Sequence, residues 1–208
     1  MDSVEQLTVE DLVLRLRSCK ERTLVGIVGA PGAGKSTLAD SLQSALGDLC
    51  QVIPMDGFHL ANQVLEARGI RDSKGAPNTF DVDGYAALLG RLKRQNPGDP
   101  DIFAPSFDRD LEEAIGSAIP VSSSTPIVLT EGNYLLLGAG GWELIPPLLD
   151  QVWFLDVPAA VRVERLLDRR ALTGEDREAS RAWVEQVDMP NGLLVEGTSS
   201  KADFVFRL

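Results

Sequence analysis

Residues 29–36 read Gly29-Ala30-Pro31-Gly32-Ala33-Gly34-Lys35-Ser36 and fit G-x-x-x-x-G-K-[ST] without a mismatch. No other stretch restricts the fold as much. A glycine loop that lets backbone N–H groups close on phosphate oxygens requires a strand to feed it and a helix to leave it. Upstream, Leu24-Val25-Gly26-Ile27-Val28 is a short apolar run, the pattern of a strand buried on both faces. Downstream, Leu38, Leu42, Ala45 and Leu46 recur at i, i+4, i+7 and i+8, one face of a helix. Strand, loop and helix arrive in the required order, so a glycine-rich turn matching by chance is the weaker reading. In a nucleoside-triphosphate site of this kind Lys35 supplies a point charge for the β- and γ-phosphates, and Ser36 a hydroxyl for Mg2+.

Further apolar runs follow at Gln51-Val52-Ile53-Pro54-Met55, Pro126-Ile127-Val128-Leu129-Thr130, Val152-Trp153-Phe154-Leu155-Asp156 and Phe204-Val205-Phe206. Helical patterns lie between them. Thr8-Val9-Glu10-Asp11 starts one, Asp83 caps another that carries Tyr85, Leu88, Leu89 and Leu92, Pro158 opens a third running to Arg170, and a fourth covers Glu178 to Val187. The alternation predicts an α/β P-loop NTPase fold, with a mostly parallel five-stranded sheet flanked by helices and a small lid, as one domain over residues 1–208. Residues 57–80 and 101–121 are left to build an acceptor pocket, with short edge strands around a turn in the second segment.

A net charge of −11 argues against a nucleic-acid or anionic-membrane partner, since phosphate surfaces recruit Lys and Arg. Cys19 and Cys50 show no paired spacing, Met1 to Glu10 carries three acids and no apolar core, and no run approaches the length of a membrane span. The expectation is a cytoplasmic protein acting on small molecules; a homodimer is left open.

In such sheets the chemistry gathers at the carboxyl ends of the strands. That rule brings Asp56 and Glu131 to the phosphate loop. Asp56 fits a general base for an alcohol attacking a γ-phosphate, although Asp-Gly is also a common turn dipeptide. Glu131 fits a group holding the waters of Mg2+ or the acceptor, against a solvated turn acid. His59 is the one histidine and is read as an acceptor contact, with plain packing as its alternative. Arg162, Arg165 and Arg169 fall on one helix face, with Arg170 beside them. Like charges one turn apart are unfavourable unless offset, by Glu164 and Asp168 or better by triphosphate oxygens. Ala171-Leu172-Thr173-Gly174-Glu175 then reads as the turn of a lid spanning 169–180. Arg109 sits between Asp108 and Asp110, as a surface ion pair or an acceptor contact.

The order of motifs resembles the phosphoribulokinase/uridine kinase branch of P-loop kinases, which includes the bacterial type of pantothenate kinase. It is most similar to small bacterial proteins of the fructose-transport-system or nucleoside kinase type. The residues that carry this are the loop 29–36, Asp56-Gly57-Phe58-His59, Asn78-Thr79-Phe80-Asp81, Pro105-Ser106-Phe107-Asp108-Arg109, Thr130-Glu131-Gly132-Asn133-Tyr134, the arginines at 165–170, and Asp188-Met189-Pro190-Asn191. The resemblance implies ATP and Mg2+ as cofactors, with Asp56 as base and Glu131 near metal and acceptor. It also implies Arg165, Arg169 and Arg170 on phosphate, Thr37 extending the nucleotide site, and Tyr134 and Asn191 beside the acceptor. The segment that orients uridine in nucleoside kinases reads differently at 105–109, so acceptor identity does not carry over. The implied activity is ATP-dependent phosphorylation of a hydroxyl on a sugar, pantothenate-like or nucleoside-like metabolite. Two alternatives stay open. A GTPase switch would use Ser200-Lys201-Ala202-Asp203 as a near match to the guanine-reading motif, and a nucleoside-monophosphate kinase would have no use for the base Asp56.

Overall fold

β2 (Thr23–Val28) is buried along its whole length because its side chains alternate between two cores. Leu24 and Val28 enter one layer, Val25 and Ile27 the other. The computed structural model describes residues 4–172 and 176–208. Around β2, a parallel sheet is completed by β1 (Glu5–Gln6), β3 (Cys50–Pro54), β6 (Ile127–Gly132), β7 (Gln151–Leu155) and β8 (Phe204–Arg207), in the order β1-β8-β7-β2-β6-β3. The sheet therefore has six strands rather than five. The extra edge strand is two residues long, too short to leave a periodicity.

Helices α1 (Val9–Arg17) and α2 (Lys35–Leu46) cover one face through Leu12, Leu16, Leu38, Leu42 and Leu46. Ala39 packs there in place of the exposed Ala45. The start of α1 is a capping box, with Thr8 and Asp11 satisfying each other's backbone N–H. On the opposite face α4 (Val82–Arg94) buries Tyr85, Leu88, Leu89 and Leu92, as its spacing predicts. Its cap is Asp81 and not Asp83. The Asp81 carboxylate accepts the Gly84 N–H at 2.9 Å, and Asp83 lies in the first turn, where a negative charge favours the helix end.

The 101–121 segment forms an antiparallel hairpin, β4 (Ile102–Asp108) and β5 (Glu113–Val121), separate from the main sheet. The 69–80 connection follows the short helix α3 (Asn62–Ala67) and is pinned to the core. Tyr134 donates its hydroxyl proton to the Gly75 carbonyl at 2.5 Å, and Trp142 Nε1 donates to the Pro77 carbonyl at 3.2 Å.

After α5 (Ala159–Leu172), residues 173–175 of the expected lid turn lie outside the described residues. Beyond them α6 (Arg177–Trp183) passes through a π-type turn, Val184–Asp188, into α7 (Met189–Glu196). The single helix expected from Glu178 to Val187 is thus continued and widened. Pro190, in the first turn of α7, has no N–H to donate backward, and the loosened π turn absorbs that break. Among the described residues no helix is long and apolar enough to cross a membrane.

Candidate active site

The parallel register assembles the site. Glu131, near the carboxyl end of β6, is paired across the sheet with Ile27 of β2 and Pro54 of β3. The glycine loop starts just beyond Ile27 and Asp56 just beyond Pro54, so all three converge on one sheet end.

In the loop Gly32 and Gly34 hold φ of 78° and 92°. A Cβ on Gly32 would stand 2.6 Å from the Arg162 carbonyl oxygen of α5, so the helix lies on the loop only because this residue is glycine. Gly34 begins α2 with no side-chain cap, and the first turn carries no acid. The N–H groups of that turn are left for an anion, as a phosphate site requires. Thr37 follows on the exposed side of the turn. Lys35 is buried, and its Nζ donates to Asn133 Oδ1 at 2.6 Å and to the Ala30 carbonyl at 3.4 Å. Burial lowers the Lys35 pKa, and the carboxylates of Glu131 and Asp56 work against that shift. Asn133 has no role of its own assigned from the sequence; its signals are its place two residues beyond Glu131 at a strand end and in the Thr130–Tyr134 stretch that carries the resemblance.

Ser36 donates its hydroxyl to Glu131 Oε1 at 3.0 Å. Glu131 is 5% exposed, and its pKa is pushed up to about 7, by burial first and the neighbouring Asp56 charge second, against the pull of Lys35, Ser36 and Arg109. Asp56, Glu131 and Ser36 line a cavity of about 290 Å3 together with Ser106, Phe107 and Arg109 of the hairpin and its turn. Gly57 lets that hairpin approach, since a Cβ there would lie 2.5 Å from the Pro105 carbonyl oxygen. Asp108 is occupied in the turn, accepting the N–H groups of Asp110 and Leu111 at 2.9 and 3.0 Å. Among the described residues no carboxylate lies within ion-pair distance of Arg109.

The arginine face divides. Arg162 is not a lid residue. It is buried, donates to the carbonyls of Val157 at 3.0 Å and Pro31 at 3.4 Å, and pairs with Glu196 of α7. Arg165 donates to the Ala33 carbonyl at 3.0 Å and sits on the loop backbone. For Arg162 and Arg165 the like charges are offset by backbone carbonyls and by Glu196. Arg169, the next turn outward, lies in the field of Arg109, Asp188 and Asp56, while Arg170 stacks 4.9 Å over Trp183. Burial raises the Asp188 pKa and both arginines lower it, so the π turn brings a carboxylate to this pair.

Three of the residues expected beside the acceptor are not among those that line this cavity. Tyr134 is fully buried against Phe80 and Trp142, with its hydroxyl committed to Gly75. His59 stacks between Phe80 and Phe107, at 4.0 and 4.9 Å, and its Nδ1–H donates to the Asp56 carbonyl at 2.9 Å. Burial lowers its pKa, so it braces the Asp56 turn as a neutral ring. Asn191 lies in the first turn of α7 and does not line the cavity. The guanine-reading alternative fails on position. Asp203 accepts the Val152 N–H at 2.5 Å at the amino end of β7, the opposite end of the sheet from the phosphate loop.

No protein-family profile matches the chain. It is 34% identical over 194 residues to the uncharacterized protein YggC of Escherichia coli, covering 91% of this chain and 79% of that one. A candidate uridine kinase of Schizosaccharomyces pombe is 32% identical over 202 residues, covering 90% and 84%. The crystal structure of a candidate fructose transport system kinase from Silicibacter sp. TM1040 superposes with a TM-score of 0.85 at 36% identity, over 96% of this chain and 99% of that chain. The chain belongs to the phosphoribulokinase/uridine kinase branch of P-loop kinases. As a member of that branch it is a phosphotransferase with a hydroxyl acceptor. The loop from Gly29 to Ser36 carries the P-loop pattern, and the convergence of Asp56 and Glu131 on it fits the transfer of phosphate to an alcohol.

Proposed function

We propose that this kinase transfers the γ-phosphate of ATP, with Mg2+, to a hydroxyl of a small polyhydroxylated or acidic metabolite in the sugar, pantothenate-like or nucleoside-like size range. The observation that carries the reading is the shared cavity of Ser36, Glu131, Asp56 and Arg109. Its volume of about 290 Å3 suits an acceptor of modest size.

The chain's own groups divide the work. The free N–H groups of the α2 turn and Lys35 hold the β- and γ-phosphates, and Lys35 exchanges its Asn133 contact for phosphate oxygen. Asp56 accepts the acceptor's hydroxyl proton as that oxygen bonds to the γ-phosphorus and the bond to the β–γ bridging oxygen breaks, releasing ADP. Arg109 orients the acceptor from the hairpin side, and Arg169 faces the transferring group from α5. Ser36 and Glu131 are hard oxygen donors already in contact, with Asp56 close enough to disturb the Glu131 pKa. One or two carboxylates plus phosphate oxygens are what Mg2+ requires, so the donor set fits, and the ion there would neutralise phosphate charge.

An ADP-release screen against sugars, pantothenate, nucleosides and glycerate-like acids tests the reading. With the acceptor that turns over, Arg109→Ala is expected to raise the acceptor KM about tenfold or more with the ATP KM little changed. Unchanged values for both would return Arg109 to the surface and move the acceptor site.

A pH dependence follows from Glu131. Its pKa, raised to about 7, means that the carboxyl is increasingly protonated below that pH and a poorer metal ligand. Mg2+ affinity in the presence of ATP is expected to fall by up to about tenfold per pH unit from about pH 7 downward. Glu131→Gln should bind Mg2+ weakly and without that slope. Parallel slopes in both proteins would remove Glu131 from the metal site.

A further inference from the structure

The hairpin β4–β5 brings Ser106, Phe107 and Arg109 to the acceptor cavity, yet it is a two-stranded unit outside the main sheet. Such a unit has little stability of its own and needs an anchor. Its pairing shifts register between Ala104 and Ser106, immediately before the cavity residues.

The base of the hairpin is packed into the core through Ile102, Ala104 and Val121, and its turn is held by the 62–74 segment. Lys74, in the 69–80 connection, is 7% exposed. Its Nζ donates to Asn62 Oδ1 at 2.8 Å and to the backbone carbonyl of Glu112, and it lies 5.1 Å from the centre of the Phe107 ring. Asn62 reinforces the same point. Its side-chain amide donates to the Glu112 carbonyl at 3.2 Å, and its backbone N–H donates to the Glu113 carboxylate at 3.0 and 3.2 Å. Glu112 holds φ of 54°, a conformation a glutamate keeps only when its surroundings over-determine it. Two donors converging on its carbonyl do so.

A buried lysine is costly unless its ammonium is used. Here it serves two neutral oxygens and an aromatic face at once, a combination no uncharged side chain reproduces. Phe107 in turn packs on His59, which holds the Asp56 turn. Lys74 therefore touches the support of the hairpin residues without lining the cavity.

We propose that Lys74 is a latch that fastens the hairpin turn to the 62–74 segment and so sets Phe107 and Arg109 at the acceptor cavity, making it a positioning residue for acceptor recognition. The proposal rests on the reading of that cavity as the acceptor site.

The test compares wild type with Lys74→Met, Lys74→Arg, Asn62→Ala and Arg109→Ala. Amide exchange of residues 107–113 in the free protein reads the latch without any acceptor. An ADP-release assay with fructose, pantothenate and uridine as probes reads recognition. Lys74→Met should speed exchange in 107–113 about tenfold and raise the KM of whichever probe turns over about five- to tenfold, with the ATP KM within about twofold. Lys74→Arg, which keeps the charge and both donors, should recover most of each effect. Asn62→Ala, which keeps Lys74 and removes one partner, should shift exchange in the same direction by less. Unchanged exchange in Lys74→Met overturns the latch. Faster exchange with an unchanged probe KM, while Arg109→Ala raises that KM, overturns the positioning role. If Arg109→Ala also leaves the probe KM unchanged, the acceptor reading falls and the positioning role with it, and exchange alone then decides whether the hairpin is latched.

Discussion

Lys35→Met is expected to weaken binding of a non-hydrolysable ATP analogue by on the order of 2–3 kcal/mol, the worth of a hydrogen bond to a charged group. Turnover should fall by about 10²–10³-fold, because the same ammonium meets charge developing on the transferring phosphate. The fold should not suffer. Lys35 is buried in the free protein, where burial disfavours its charge, and methionine matches its length. Against that gain stands the loss of a donor for Asn133 Oδ1, so the net change in stability should stay within about 1 kcal/mol. Titration calorimetry paired with a thermal melt separates the two. An affinity equal to wild type would remove the loop from the donor site, and a collapsed melting temperature would show that Lys35 is chiefly structural.

Asp56→Asn is expected to cut phosphate transfer by about 10²–10⁴-fold, the usual worth of a positioned base, with nucleotide affinity within several-fold of wild type. Asp56 follows β3 and not the glycine loop, so it meets the acceptor before it meets ATP. A second readout guards against a merely distorted turn. The Asp56 charge is one cause of the raised Glu131 pKa, second after burial. Removing it should let Glu131 ionise more readily, so the acid side of the Mg2+-binding profile should move to lower pH. Transfer at near wild-type rate would leave Asp56 as the first residue of an ordinary Asp-Gly turn. A slowed reaction with an unmoved Mg2+ profile would place Asp56 farther from Glu131 than the structure has it.

Glu131 illustrates how the two levels of information join. Its type and its position after an apolar run are visible in the chain, because strand ends and titratable residues can be read locally. That its carboxylate meets Ser36, and that its pKa is raised, depends on the pairing of β6 between β2 and β3, a long-range event. Asn133 is a harder case, since asparagine beyond a strand carries no chemistry until Lys35 is folded against it.

What the amino-acid order determined by itself was the phosphate loop, the strand–helix alternation around it, the cores on both faces of the sheet, and the candidate pair Asp56 and Glu131. Each rests on local spacing, glycine conformation or side-chain type, which need no knowledge of distant contacts. The tertiary structure alone decided how look-alike residues were used. Of the arginines spaced along α5, Arg162 was taken by Pro31, Val157 and Glu196 as structural ties, while Arg169 was set in the field of Arg109, Asp188 and Asp56. It turned Tyr134 and His59 inward as supports. It also joined Lys74 to Asn62 and Glu112 across separate segments. Burial and hydrogen-bond partners come from elements far apart in the chain, and a side chain's role is settled by which of those partners folding brings to it.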